Sequence, residues 1–253
     1  MLETITSILH RCGSSDSVLP PTELYNEGWM LRLVLDWFDR NRNIIYPLAF
    51  APNARWYSEA LLPSRFLPQK RGDKRAESFT HADGIIGHFS IWPGDRGEVK
   101  ILKNATQLIV TEAKLSSSLS TGTKNAPTFD QAARNVACIA NMIGIAGANV
   151  DTLDQLGFYV LAPEAQINAG IFGDLITEDS IKRKVKARVS IYGSVFDEWF
   201  EKIFLPVLAR IKLKALSWES ILDELPIMSD TQQIREFYET CLKYNPVRAR
   251  NAV

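Results

Sequence analysis

The stretch Leu108-Ile109-Val110-Thr111-Glu112-Ala113-Lys114 decides the fold, because an apolar run of strand length ends in a carboxylate and an amine. In a strand, residues two apart project from the same face, so Glu112 and Lys114 share the side that carries Leu108 and Val110. The stretch therefore predicts a buried strand that ends in charged side chains. Buried charges are costly unless an opposite charge or a metal compensates them. The alternative to a functional site is a plain ion pair at the rim of a sheet.

A second acid opens another apolar segment. The sequence HADGIIGHF at 81–89 contains Asp83, which shares a strand face with Ile85, and it is followed by the turn-forming run PGDRG at 93–97. Such a turn would let this strand lie beside the strand at 108–114. We therefore expect Asp83, Glu112 and Lys114 to converge at one place.

A third acid lies in the predicted helix Pro21–Phe38. The apolar residues of this segment recur at about 100° per residue, as in a helix with one buried face; they are Leu24, Leu31, Val34, Leu35 and Phe38. Glu27 projects near the middle of that apolar side, whereas Glu23 is a favourable charge in the first helical turn. A glutamate on a buried face is costly unless a positive charge meets it. Glu27 is therefore a candidate site residue.

The order of these features resembles the PD-(D/E)XK nuclease superfamily, whose members share the restriction-endonuclease-like fold. The matching elements are a helix with Glu27, a strand opened by Asp83, a strand ending in Glu112-Ala113-Lys114, and a helix opened by Gln131. Together they span roughly Pro21 to Pro163, somewhat over half of the chain. The chain departs from the pattern in two ways: Ala82 stands where the family name anticipates proline, and the hairpin between the two strands is longer than in compact members.

The resemblance implies a divalent cation, Mg²⁺ or Mn²⁺, held by Asp83, Glu112 and the carbonyl of Ala113. Such cations prefer hard oxygen ligands, and they neutralise charge and activate water in phosphodiester hydrolysis. In the same pattern, Lys114 would orient or deprotonate the attacking water, and Glu27 would hold a second metal or a metal-bound water. The function implied is a metal-dependent endonuclease whose nucleic-acid substrate is expected to be DNA, with RNA as the alternative.

Gln131 has two interpretations. In the first, Thr128 caps the following helix and Gln131 reaches back from its third position, which is a capping box. In the second, which the resemblance implies, Gln131 contacts the site or the substrate. One turn further on, Arg134 and Asn135 have the character of solvated helix residues, so the sequence does not mark them as ligands.

Basic residues outside the acidic positions are candidates for contact with phosphate. They are Lys70, Arg71, Lys74 and Arg75 before the first acidic strand, Lys124 after the second, and Lys182, Arg183 and Lys186 in a helical segment from Thr177. Lys184 is expected to point outward with the last group. A solvated basic face is the ordinary alternative for such a pattern.

The order helix, strands, helix, strand predicts an α/β (α+β) domain with a mixed β-sheet flanked by helices. The resemblance makes this a restriction-endonuclease-like core. We assign residues 1–192 to the core domain and residues 193–253 to a helical C-terminal extension packed on the same domain. The polar loop 116–126 cannot build a core and is expected to be mobile, and Gly157–Pro163 is expected to form a further buried strand.

The composition limits the classes of function. The chain has 253 residues, with 29 Lys and Arg against 29 Asp and Glu, so binding of a polyanion must come from local basic patches and a metal. Three cysteines that lie far apart and three histidines give no pattern of a disulfide framework or a zinc site. The first residues do not resemble a signal peptide and no stretch is long enough to span a membrane, so a cytoplasmic protein is expected. The sequence is compatible with a homodimer or a partner subunit.

Two other classes of function remain open at this stage. A catalytically inactive nuclease-fold protein would keep the fold and serve as a nucleic-acid- or protein-binding module. A third class would use Lys114 as a Schiff-base or acid–base lysine acting on a small molecule, and it would leave Asp83 without an obvious role.

Overall fold

The computed structural model describes residues 1–91 and 96–246 of the chain, and its centre is a five-stranded mixed sheet in the order β1-β2-β5-β6-β7. The strands of this sheet are β1 (Arg55–Leu62), β2 (Thr80–Gly87), β5 (Gln107–Ala113), β6 (Gln155–Ala162) and β7 (Lys212–Ser217). Strands β1, β2 and β5 are antiparallel neighbours, and β5, β6 and β7 are parallel. The predicted α/β class with a mixed sheet is confirmed.

A separate two-stranded hairpin, formed by β3 (Phe89–Ile91) and β4 (Val99–Ile101), lies between β2 and β5 in the chain. The segment at 81–89, predicted as one strand opened by Asp83, is therefore divided: β2 begins at Thr80, so that Asp83 is its fourth residue, and Phe89 belongs to β3. Gly87 adopts a φ of +148°, and a Cβ there would lie 2.2 Å from the carbonyl oxygen of Gln107, so only glycine fits this bend. Of the predicted turn at 93–97, residues 93–95 lie outside the described residues.

Helices fill the connections and both ends of the described chain. The α-helices are α1 (Leu2–His10), α2 (Glu27–Arg40), α3 (Gln131–Ala146), α4 (Glu164–Asn168), α5 (Glu178–Ser190), α6 (Asp197–Trp199), α7 (Leu205–Arg210), α8 (Trp218–Asp223) and α9 (Ser229–Tyr244). A π-helical turn, Phe200–Phe204, joins α6 to α7. Within the described ranges, none of these helices has the length and apolar character needed to cross a membrane.

The sheet separates two apolar cores, one on each face. The larger core packs α3, α5 and the helices around Phe204 against Leu108, Val110 and Phe158. The smaller core packs α2, α8 and α9 against Ile86 and Ile109. Because both faces are covered, β5 is buried along its whole length, as is usual for a central strand with an apolar sequence.

Two helices flank the end of β5 that carries the acid and the amine, and both begin at a side-chain cap. The Asn26 side chain accepts a hydrogen bond from the Trp29 amide and starts α2, and the Asp130 side chain accepts one from the Ala133 amide and starts α3. Helix α3 crosses from β5 to the parallel β6. The start of α3 therefore lies near the carboxyl end of β5.

The start of α2 differs from the sequence prediction. Pro21–Glu23 forms a separate 3₁₀ turn, and the α-helix begins only at Glu27. Glu27 is therefore the first residue of the helix, where a negative charge is stabilised by the helix dipole, and its spacing keeps it on the side of Leu31 and Val34. The apolar face itself is as predicted, since Leu31, Val34, Leu35 and Phe38 are fully buried.

The segment from residue 193 onward contains a strand as well as helices. The sequence predicts a helical extension here, but β7 pairs in parallel with β6 and forms one edge of the main sheet. Helices α8 and α9 then cover the smaller core, and Trp218, at the start of α8, is completely buried. The C-terminal part therefore helps to build the domain that carries the candidate site.

Candidate active site

The pairing of β2 with β5 brings the two predicted carboxylates together. Gly84 lies opposite Thr111 in this antiparallel ladder, and continuing the register by one residue sets Asp83 opposite Glu112. Gly84 permits the close packing at this point, because a Cβ there would lie 2.6 Å from Thr111 Oγ1 and 3.0 Å from the side chain of Leu31. The predicted adjacency of the two acidic strands is confirmed.

Lys114 lies between the two carboxylates. Its Nζ atom is 3.3 Å from Oε2 of Glu112 and 3.6 Å from Oδ2 of Asp83. The Glu112 side chain has no exposed surface, whereas the side chain of Asp83 is 26% exposed. The cluster is thus closed on the Glu112 side and open to solvent on the Asp83 side.

Two amide side chains of α3 hold the Glu112 carboxylate. Asn135 Nδ2 donates to Oε1 of Glu112 at 2.8 Å, and Gln131 Nε2 donates to Oε2 at 2.5 Å. Together with Lys114, these donors reach both carboxylate oxygens. The carboxylate is therefore fixed in one orientation before any ligand binds.

Burial and like charge control the protonation of this cluster. Burial raises the pKa of Glu112, and the neighbouring charge of Asp83 raises it further, against the opposing effect of Lys114. Burial lowers the pKa of the Lys114 ammonium, but Glu112 and Asp83 together raise it above its ordinary value. Two carboxylates thus share one nearby ammonium, and the site carries an excess of negative charge when both are ionised.

Backbone contacts fix the end of β5 around these side chains. The Ala113 amide donates to Oδ2 of Asp83 at 2.7 Å. The Lys114 amide donates to the Leu161 carbonyl at 2.8 Å, and the indole Nε1 of Trp218 donates to the Lys114 carbonyl at 2.9 Å. The side chain of Lys114 therefore extends from a backbone position held by the sheet and by α8.

Glu27 lies close enough to the cluster for its charge to raise the pKa of Lys114. In residues 1–91 and 96–246, however, Glu27 makes no hydrogen bond or ion pair with the other candidate residues. It borders the site from the first turn of α2. Its contribution in this structure is electrostatic.

The structure resolves the two interpretations of Gln131. Asp130, not Thr128, caps α3, so Gln131 is the first helical residue and the predicted capping box is wrong. The Gln131 side chain instead contacts Glu112, and its Oε1 accepts a hydrogen bond from the Ser120 amide at 3.2 Å. Gln131 therefore links the candidate site to the loop that follows β5.

That loop is also more ordered than its polar composition predicts. Leu119 and Ala126 are buried in the larger core, and Thr123 and Ala126 exchange two backbone hydrogen bonds. Two apolar residues thus anchor a segment whose other residues are polar or glycine.

Asn135 is the site residue that the sequence does not reveal. It is fully buried and contacts Glu112, although the sequence gives it the character of a solvated helix residue. The available signal is its spacing: residues 131 and 135 are one turn apart and lie on the same side of a helix. A side chain that shares a helix face with a site glutamine is a candidate for the same site.

The predicted phosphate-contacting residues are on the surface. Exposed positions include Lys70, Arg71, Lys74 and Arg75 in the loop between β1 and β2, Lys124 after β5, and Lys182, Arg183 and Lys186 on α5. The loop and α5 are joined, because the Arg75 carbonyl accepts hydrogen bonds from the side chains of Arg188 and Tyr192 on the C-terminal part of α5 and just beyond it. Lys184 does not point outward as predicted but pairs with Asp130 at 2.5 Å, next to Gln131.

The donor set of the cluster consists of oxygen atoms, which suits Mg²⁺ or Mn²⁺ better than a softer metal. The side chains of Asp83 and Glu112 and the carbonyl of Ala113 lie at the same end of β2 and β5. Among the described residues, no group of three or more His, Cys, Asp and Glu side chains is arranged to hold a metal ion. In this arrangement the Lys114 ammonium is the cation between the two carboxylates.

Comparisons with known proteins return no relatives for this chain. No model of a known protein family matches the sequence, no curated protein is significantly similar to it, and no solved structure is significantly similar to its fold.

Proposed function

We propose that this chain is a divalent-metal-dependent nuclease of the PD-(D/E)XK type, which hydrolyses phosphodiester bonds of DNA or RNA. The observation that carries the proposal is the position of the Lys114 ammonium, 3.3 Å from Glu112 at the end of β5 and 3.6 Å from Asp83 on the paired strand β2. A lysine two residues beyond a strand-end glutamate, facing an aspartate on the neighbouring strand, is the arrangement expected of that superfamily.

The order of the secondary structure supports a restriction-endonuclease-like core. Helix α2 is followed by the three antiparallel strands β1, β2 and β5, and then by the crossover helix α3 and the parallel strand β6. The candidate acidic, lysine and glutamine residues lie on α2, β2, β5 and α3, which is the order of elements expected for the PD-(D/E)XK superfamily. The long insertion between β2 and β5 is the hairpin β3–β4, which does not separate the two strands in the sheet.

Mg²⁺ or Mn²⁺ would be held by Asp83, Glu112 and the Ala113 carbonyl, with Glu27 near enough to contribute to a second ion or to a water bound to it. When bound, the cation supplies charge neutralisation at the phosphate and lowers the pKa of a water molecule. Lys114 is the residue that would orient the attacking water and stabilise the negative charge that develops on the phosphate oxygens. Gln131 and Asn135 keep the Glu112 carboxylate in place, which spares the site a reorganisation step.

The experiment is hydrolysis of mixed single- and double-stranded DNA and RNA with Mg²⁺ or Mn²⁺, comparing the unmodified protein with Asp83→Asn, Glu112→Gln and Lys114→Ala. A matched control is Lys202→Ala, which removes a lysine from an exposed ion pair with Glu198. We expect cleavage by the unmodified protein and by the control, and its loss in the other three variants and in EDTA. Equal cleavage by all five proteins would show that the activity does not reside at this site.

A second candidate function is a nucleic-acid- or protein-binding module that keeps the fold without catalysis. The observation that favours it is the lack, within the described residues, of a third His, Cys, Asp or Glu positioned with Asp83 and Glu112 to complete a metal site. This function predicts nucleic-acid binding that is unaffected by chelator and no cleavage with any divalent metal. The same experiment therefore separates the two functions.

A further inference from the structure

A polar cavity of about 340 Å³ is lined by residues of β2 and α3, the two elements that carry Asp83 and Gln131. Its walls come from three elements: the segment that leads into β2, the tight turn after β5, and the first turns of α3. The lining residues that bear charge or hydrogen-bonding groups are Ser78, Thr80, Thr123, Lys124, Asn125, Arg134 and Glu77. The cavity thus combines two cationic side chains with hydroxyl and amide groups.

Two polar atoms of the lining residues, Nε of Arg134 and Oγ1 of Thr123, are buried without a hydrogen-bond or ion-pair partner. The equally buried Oε1 of Glu77 is ion-paired with Arg188. A buried guanidinium N–H without a partner is costly, so such groups usually meet a ligand, an ion or water. A donor on Arg134 and a hydroxyl on Thr123 are groups that bind a phosphate oxygen well.

The walls of the cavity are held by contacts of their own. Asn125 Nδ2 donates to the Ala76 carbonyl at 3.0 Å, which ties the turn after β5 to the segment before β2. Thr123 and Ala126 close the turn with two backbone hydrogen bonds, and Lys124 stands at its exposed tip. The cavity is therefore formed before any ligand arrives, which lowers the entropic cost of binding.

The acidic residue at this cavity is already matched by a cation. The Glu77 carboxylate lies 2.9 Å from Nε of Arg188, and both side chains are almost fully buried. Burial raises the pKa of Glu77, and the charges of Arg188 and Arg134 oppose that rise. Arg134 and Lys124 are thus left as the net positive charge facing the cavity.

We propose that this cavity binds a phosphate group of the nucleic-acid strand beside the phosphodiester that is cleaved. The inference rests on the proposed nuclease function and names a contact of the same site. Arg134 lies three residues after Gln131, within one turn of α3, and Thr80 lies three residues before Asp83 in β2, about 10 Å along the strand. A phosphate in the cavity would therefore fix the strand within a short distance of the carboxylates.

The first test measures binding of a fluorescent single-stranded DNA in EDTA, where no cleavage interferes, at several salt concentrations. Loss of one phosphate contact lowers the salt slope of the logarithm of the binding constant by about 0.7, and we expect a roughly tenfold weaker affinity. Arg134→Gln and Lys124→Ala should both show this change, and Arg134→Lys should retain most of the slope. Arg210→Gln, which removes an arginine from an exposed ion pair with Asp151, is the matched control and should bind like the unmodified protein.

Two arms of the test distinguish the sources of the phosphate. If the cavity takes an internal phosphate, Arg134→Gln weakens binding of DNA with and without a terminal phosphate to the same extent. If it takes a terminal phosphate, the variant weakens only the binding of the 5′- or 3′-phosphorylated strand, which would indicate action from a strand end. Either outcome supports the phosphate site, because both depend on Arg134.

The proposal is overturned if Arg134→Gln and Lys124→Ala keep the affinity and salt slope of the unmodified protein on every strand, or if the unmodified protein binds none of them at low salt. A second readout does not depend on nucleic acid: the Nε–H resonance of Arg134 should shift when inorganic phosphate is added to the isotope-labelled protein. Absence of cleavage with a positive binding result would contradict the nuclease function and leave the phosphate site intact. The two proposals can therefore fail separately.

Discussion

Two of the buried clusters of opposite charges in the described part of the chain differ in balance and in access to solvent. Glu77 and Arg188 form a one-to-one pair, and the guanidinium also packs against the rings of Phe66, Phe129 and Tyr192. Asp83, Glu112 and Lys114 combine two carboxylates with one ammonium, with Asp83 partly exposed. The charges of the first cluster balance and its side chains are closed to solvent, so we call it the closed cluster. The second has more negative than positive groups and is open to solvent at Asp83, so we call it the open cluster.

This difference separates a structural ion pair from a site prepared for a ligand. A closed, balanced pair is not stabilised by binding a further ion. Its arginine, Arg188, also donates to the Arg75 carbonyl, as does Tyr192, and these bonds join the loop before β2 to α5. An unbalanced cluster at the end of two strands gains stability from any cation that reaches it. The contrast predicts that substitutions in the two clusters will affect different properties of the protein, activity in one and stability in the other.

The largest expected effect is on activity in the open cluster. Glu112→Gln should lower the rate of metal-dependent cleavage by about 10³-fold, the range found when a group that stabilises transition-state charge is removed. Its free energy of unfolding should change by no more than about 1 kcal/mol, because a buried charge is removed and Lys114 keeps Asp83 as its partner. Steady-state kinetics and urea denaturation measure the two quantities.

The matched substitution in the closed cluster is Glu77→Gln, which should leave the cleavage rate within a few-fold of normal. A large loss of stability in Glu112→Gln, or a loss of activity in Glu77→Gln as large as that in Glu112→Gln, would remove the distinction between the two clusters.

The second effect is on stability in the closed cluster. Arg188→Met should lower the free energy of unfolding by about 3–5 kcal/mol, because it leaves the Glu77 carboxylate buried without its cation. The double variant Glu77→Met, Arg188→Met should recover part of this loss, since no unpaired charge remains. Denaturation of the single and double variants in a double-mutant cycle gives the coupling. A coupling near zero would mean that the two side chains do not act as a pair.

The third effect tests how the open cluster is held. Asn135→Ala should reduce cleavage by about 10–100-fold, as is typical when a residue that orients a metal ligand is removed. Asn141→Ala is a close control, because Asn141 is a buried asparagine on the same helix that donates to the Pro63 carbonyl, away from Glu112. Similar losses of activity in the two variants would show that disturbing α3, rather than orienting Glu112, lowers the rate.

Local pattern was sufficient to predict the strand β5, an acid on the neighbouring strand and the pairing between them, although Asp83 is the fourth residue of β2 and not its first. The apolar run before Glu112 leaves little choice of structure, and period-two alternation fixes which side chains share a face. The same reasoning located the apolar face of α2. What these features have in common is that they depend on residues close together in the chain.

The sequence predictions were wrong where contacts between residues far apart in the chain decide the structure. The edge strand β7 has the mixed sequence KLKALS, and only its parallel pairing with β6 distinguishes it from the end of the preceding helix. The start of α3 depends on whether Thr128 or Asp130 caps it, and burial of Phe129 favours Asp130. The role of Asn135 follows from its distance to Glu112, which no sequence pattern contains.

The smallest expected effect concerns pH and sharpens the description of the closed cluster. Burial raises the pKa of Glu77, and Arg188 and Arg134 oppose the rise. A carboxyl group with a raised pKa in the folded state contributes stability that is fully present below its unfolded pKa, about 4.3, and is lost as pH rises through the folded value. Removal of Arg188 takes away one opposing charge, so the folded pKa of Glu77 should rise further in Arg188→Met.

The stability deficit of Arg188→Met should therefore be large at neutral pH and should shrink as the pH falls towards the ordinary range of glutamate. Urea denaturation of this variant from neutral pH to mildly acidic pH measures the change, with Glu77→Met, Arg188→Met as the reference that corrects for all other titrating groups. A deficit relative to this reference that stays constant across the range would mean that Glu77 is not the group left unpaired. The open cluster should not contribute to this difference, because both variants retain Asp83, Glu112 and Lys114 unchanged.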